Sequence, residues 1–109
     1  MCGIIVVVGD TEEDSPVDHL TDRLAHRGPD GRGLHRVDGA VLGHCRLAII
    51  DPAHGRQPIV ERSDDPETAA ALVANGMIYN YRELRSRLVA SDFQSGSDSE
   101  AILRWCLDR

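Results

Sequence analysis

Aromatic side chains are scarce, 4% of the residues, so the chain has no row of rings on which single-stranded nucleic acid could stack. Basic residues are outnumbered 12 to 18 by acidic ones, and the formal net charge of -6 leaves no electrostatic footprint for nucleic acid or an anionic membrane surface. Long apolar runs are missing as well. The first run, Ile4 to Val8, is short and has no basic residue before it, which excludes a signal peptide and a membrane span and makes a cytoplasmic location the expectation. The cysteines are few and odd in number (Cys2, Cys45, Cys106), which argues for reduced thiols and against a disulfide framework. No C-x2-C pair is present, and the adjacent His44 and Cys45 would point to opposite faces of a strand, so a zinc site is not expected. Internal repeats and low-complexity segments are likewise absent. What remains, 109 residues that are 41% hydrophobic and 28% charged, suits one soluble globular domain or part of one.

The stretch around which the chain is organised is Met1-Cys2-Gly3-Ile4-Ile5-Val6-Val7-Val8. Removal of Met1, which aminopeptidases favour before a small residue, would place a thiol and a free α-amine on one amino acid. An α-amine keeps a useful unprotonated fraction near neutral pH and can accept the thiol proton, so nucleophile and base would share Cys2. The apolar run behind it reads as a buried strand that would hold this terminus in place. An ordinary first strand beginning Met-Cys-Gly is the other reading of these residues.

Further along, Ser15 and Pro16 begin a helix with Val17, Leu20, Thr21 and Leu24 on one face, ending before Arg27-Gly28-Pro29. His26 to Gly33 is dense in turn formers, does not match a dinucleotide fingerprint, and reads as a tight loop with an internal Arg-Asp pair. Strands are expected at Gly33 to Val37 and Val41 to Cys45 around an Asp38-Gly39 hairpin turn. A brief strand is expected at Gln57 to Val60 and a buried one at Ala69 to Ala74, running into Asn75-Gly76. Asn80 with Glu83 has capping-box spacing for a helix whose apolar face is Leu84 and Leu88. Ser97 to Glu100 repeats the pattern for a last helix lined by Ile102, Trp105 and Cys106. The interleaving predicts an α+β or mixed α/β layer arrangement, and apolar runs with so little to cover them suggest the front part of a longer domain.

Six segments in order resemble the glutaminase domain of glutamine-dependent asparagine synthetases, a class II amidotransferase within the N-terminal-nucleophile (Ntn) hydrolases. They are Met1-Cys2-Gly3-Ile4, His26 to Gly31, Gly43 to Asp51, Gln57-Pro58-Ile59, Asn75 to Asn80 and Ser97 to Glu100. The resemblance covers residues 1–109 and implies an Ntn-hydrolase-type four-layer αββα sandwich of which this chain holds the N-terminal part. It implies that Cys2 attacks the side-chain amide of glutamine while its α-amine handles the proton, with the Asn75 carboxamide and the Gly76 N–H as oxyanion donors. Arg46 would hold the substrate carboxylate, Leu47, Ala48, Ile49 and Ile50 would continue the glutamine-contacting segment, and Asp98 would bind the α-ammonium. One position departs from the family: Asn-Gly-Glu-Ile-Tyr-Asn is usual, and here the glutamate is Met77, whose thioether carries no charge.

The resemblance further implies a synthetase domain as partner, using ATP and magnesium to amidate aspartate, with no cofactor in residues 1–109. It is compatible with a homodimer of the full-length protein. Read without the family, Arg46 is equally a loop-bridging charge, Asn75-Gly76 a turn, and Asp98 a helix-capping residue. Two other functions stay open: a non-catalytic ligand-binding or assembly module, and an amidotransferase for a different acceptor.

Overall fold

The computed structural model describes residues 1–9, 15–61, 63–64, 69–88 and 92–108. Strands β1 (Gly3–Val8), β2 (Gly31–Val37) and β3 (Ala40–Arg46) form an antiparallel sheet with β3 in the middle. The expected hairpin is present: Val37 pairs with Ala40 across Asp38-Gly39, and Gly39 supplies the positive φ of +68°. Both strands run beyond their expected ends, because the ladder continues until Gly31 meets Arg46. A second antiparallel ribbon joins β4 (Ile59–Glu61) to β5 (Ala70–Leu72). β5 is shorter than expected, since Ala74 leaves the ladder for other partners described below.

Helix α1 (Ser15–Asp22) packs on β1 and β3. Val17 and Thr21 are fully buried against the sheet, where Gly43 leaves room for the threonine; a Cβ at 43 would strike the Thr21 hydroxyl. Leu20, expected on this face, is exposed. Past Asp22 the chain tightens into a 3-10 turn at Ala25–Arg27, held by the Gly28 N–H donating to the Ala25 carbonyl. Gly28 then passes so close to β3 that a Cβ would fall on the Cys45 carbonyl.

The buried strand expected at Ile4 to Val8 is instead half-covered. The Ile5 and Val7 face meets α1, whereas Ile4, Val6 and Val8 are 42%, 50% and 80% exposed. β1 lies at an edge, and the second ribbon packs toward β2 at the other edge of the sheet rather than over β1.

Helix α2 (Tyr81–Arg87) lacks the expected capping box. Asn80 has φ -96°, ψ 22° rather than the extended backbone that aims a cap side chain, and Glu83 pairs with Arg87 at 2.6 Å. Leu84 and Leu88 do turn inward, Leu88 fully. Helix α3 (Asp98–Leu107) is capped as expected by Ser97, whose Oγ accepts the Ser99 N–H at 3.2 Å. Glu100 reaches back past the cap to the N–H groups of Gln94 and Ser95, both at 2.8 Å. Its buried side chains are Asp98 to Ala101 and Leu103, while Cys106, expected on the packed side, is exposed. Arg104 pairs with Glu61 at 2.6 Å and ties α3 to β4. No helix among the described residues is long and apolar enough to cross a membrane.

Candidate active site

Where β1 begins, β3 ends and α3 starts, the three elements surround a cavity of about 300 Å3. Cys2 enters it from the head of β1. The Leu47 N–H donates to Cys2 Sγ at 3.3 Å, and Sγ lies 3.7 Å from the Leu47 carbonyl, so the same residue can stabilise either a thiolate or a thiol. The Cys2 carbonyl accepts from Arg27 Nε at 3.2 Å. Asp30 in turn accepts the Ala48 N–H at 2.9 Å, and its own N–H donates to the Arg46 carbonyl. The internal Arg-Asp pair expected of this loop is therefore replaced by contacts outward to Cys2 and Ala48. The reason is proximity: Gly28 brings the loop against the end of β3.

Arg46, the last residue of β3, extends its guanidinium into the 47–52 loop, where it donates to the carbonyls of Ile50, Asp51 and Pro52 at 2.7 to 3.0 Å. It is 7% exposed and has no carboxylate partner among the described residues. Asp51 shapes that loop with a φ of +46°, its carboxylate accepting from the N–H groups of Gly96 and His54. The Gly96 N–H is the chief cause of a lowered Asp51 pKa. Opposite lies Asp98, 6% exposed, one oxygen accepting the Ile78 N–H at 2.8 Å, with no cationic partner among the described residues. A buried guanidinium and a buried carboxylate without mutual pairing suit a ligand carrying both charges.

Leu47, Ile49 and Ile50 line the same cavity, as do Asn75, Gly76 and Met77. Nothing stands within 4 Å of where a Gly76 Cβ would be, and the Asn75 carboxamide has no partner among the described residues. Ala48 does not line the cavity; its N–H is turned to Asp30. Reading the sequence alone missed Gln57, Ser97, Ser99 and Tyr79, which also face the space. All four lie in segments singled out as motifs, but nothing local in those segments indicates which side chains turn inward. All three cysteines are free, and Cys45 is buried with its thiol 3.1 Å from the Thr21 carbonyl. No group of three His, Cys, Asp or Glu among the described residues is arranged to hold a metal ion.

Residues 1–108 match the glutamine amidotransferase domain family. The chain belongs to that family. It is 43% identical over 106 residues to a glutamine-hydrolyzing asparagine synthetase of Zea mays, covering 94% of this chain and 17% of that protein. It is 42% identical over 106 residues to glutamine-hydrolyzing asparagine synthetase 2 of Arabidopsis thaliana, covering 94% of this chain and 18% of that protein. The amidotransferase chain thus spans less than a fifth of the length of these relatives.

Proposed function

We propose that this chain is the N-terminal part of a glutaminase domain that hydrolyses the side-chain amide of glutamine through Cys2. The observation that carries the reading is the shared cavity, into which Cys2, Arg46, Asn75-Gly76 and Asp98 all open from separate parts of the chain. Met1 is exposed and lines the mouth of that space, so its removal is sterically free and would both release the Cys2 α-amine and enlarge the site.

With Arg46 on the substrate carboxylate and Asp98 on its ammonium, the amide end of glutamine is directed toward Cys2. Sγ attacks the amide carbon as the α-amine takes the thiol proton. The tetrahedral oxyanion is met by the Asn75 carboxamide and the Gly76 N–H, each such donor being worth roughly 2.7 to 4 kcal/mol. The amine returns its proton to the departing ammonia. Water, activated by the same amine, then splits the γ-glutamyl thioester and glutamate leaves. The Leu47 N–H steadies the sulfur whenever it carries negative charge.

By the same reading the fold is the front portion of a four-layer αββα sandwich. The longer parent would carry a synthetase domain that binds ATP and magnesium and consumes the ammonia, with aspartate as the acceptor that the relatives' names support. These partners lie outside the chain's own cavity and rest on kinship. The test is glutamate release from glutamine by the purified chain. The wild type should release it and Cys2→Ala should not; equal release by both would overturn the proposal.

A further inference from the structure

Between Ala74 and Ile78 the chain crosses the cavity wall with no strand to pair with, since β5 leaves its ladder at Leu72. Ile78 is fastened by its N–H to Asp98. Ala74 is fastened on both sides of its own backbone. Its N–H donates to Gln57 Oε1 at 2.6 Å, and its carbonyl faces His44 Nε2 at 3.2 Å. Because a carbonyl can only accept, Nε2 carries the proton and Nδ1 is left as a lone pair, which has no partner among the described residues. His44 is 0% exposed in the central strand, with its ring on the side of the sheet away from α1. Gln57 Nε2 continues the chain of contacts to Ser99 Oγ at 3.3 Å, beside Asp98 in the first turn of α3. A side-chain amide and an imidazole thus take the polar groups that a neighbouring strand would have paired.

We infer that His44 and Gln57 are positioning residues that hold Ala74 by its carbonyl and its N–H and thereby keep the Asn75 carboxamide and the Gly76 N–H where an oxyanion forms. The inference deepens the glutaminase reading and rests on it. Neither side chain needs to exchange a proton with glutamine. Their work is to remove the freedom of the residue that precedes the donors, since a donor already held in place stabilises the transition state without having to be ordered in the step.

The test compares His44→Leu, His44→Gln and Gln57→Leu in the full chain, with kcat and KM for glutamine and amide hydrogen exchange at residues 74–76. A glutamine side chain can set an N–H close to where imidazole Nε2 stands, without titrating. His44→Leu and Gln57→Leu should lower kcat by about 100-fold, the loss typical of a missing oxyanion donor, while KM moves by less than about threefold. His44→Gln should recover most of that kcat. Exchange at the Ala74 amide, which Gln57 protects, should quicken in both leucine variants. If His44→Leu does not fold, Gln57→Leu and His44→Gln carry the comparison. A folded Gln57→Leu with wild-type kcat, or a His44→Gln as impaired as His44→Leu, would overturn the inference. A wild type that turns over no glutamine sinks the functional reading instead. The exchange rates, which need no turnover, then decide the clamp, and unchanged rates in Gln57→Leu overturn it.

Discussion

At the scale of the residue, the site depends on which groups are left unpaired. Met77 is exposed at the cavity where a carboxylate would complement an ammonium, so in the proposed glutamine complex that task would fall to Asp98 alone. Met77→Glu should therefore lower the KM for glutamine, by about tenfold if the added pair contributes near 1.4 kcal/mol, with kcat little changed. Steady-state kinetics of the two proteins measures this, and an unchanged KM would contradict it.

The ionisation of His44 bears on stability near neutral pH. Burial lowers its pKa first, the Arg46 charge adds to the lowering, and the Ala74 carbonyl opposes it. The unfolded chain thus binds a proton that the native chain refuses. Its contribution is complete above the ordinary imidazole pKa of about 6.5 and is lost as pH falls from there toward the depressed native value. Urea midpoints should drop between neutral and mildly acidic pH in the wild type and drop less in His44→Gln. Parallel curves would count against that assignment.

At the scale of the element, helix α3 brings its polar first turn to the cavity because Ser97 caps it in extended backbone. Ser97→Ala should cost about 1 kcal/mol of stability, read from denaturant midpoints, and should loosen Asp98. Gly28→Ala should cost more, about 1 to 3 kcal/mol, since the added methyl meets the β3 backbone rather than a side chain that can swing away.

These elements also explain what could be read beforehand. The β2–β3 hairpin was legible because Asp38-Gly39 is a local signal, decided within two residues. The Ser97 cap was legible for the same reason. The Asn80 cap was not, because its backbone is set by the Ile78-to-Asp98 tether, a contact 20 residues away in sequence. Burial along β1 misled because alternating exposure depends on what lies over the strand, which an all-apolar run cannot disclose. Arg46, Asn75 and Asp98 were given roles only through resemblance, since each alone has an ordinary structural reading, whereas Cys2 could also be read from its place directly after Met1. Gln57 and His44 escaped even that, because the Ala74 backbone that joins them is brought between them only by the tertiary fold.

At the scale of the whole molecule, α1 covers one face of the three-stranded sheet and the β4–β5 ribbon with α3 stands beyond the other, leaving part of the β1 surface open. Substitutions should report this asymmetry. Leu42→Ala in the covered centre should cost about 2 to 5 kcal/mol, whereas Val6→Thr on the open face should change stability by less than about 0.5 kcal/mol. Equal costs in urea denaturation would mean that the open face is packed in solution. The open face belongs to a chain that spans 17% of its Zea mays relative, so there is ample protein in such relatives to cover it.

The central claim is that Cys2, once its α-amine is free, is the nucleophile of this cavity. It is tested most directly by treating the protein with a diazoketone analogue of glutamine and mapping the product by mass spectrometry. One adduct is expected, on Cys2 of chains that begin at Cys2, suppressed by excess glutamine and absent from Cys45 and Cys106. Labelling of chains that retain Met1, or a fully processed chain with no adduct, would contradict it.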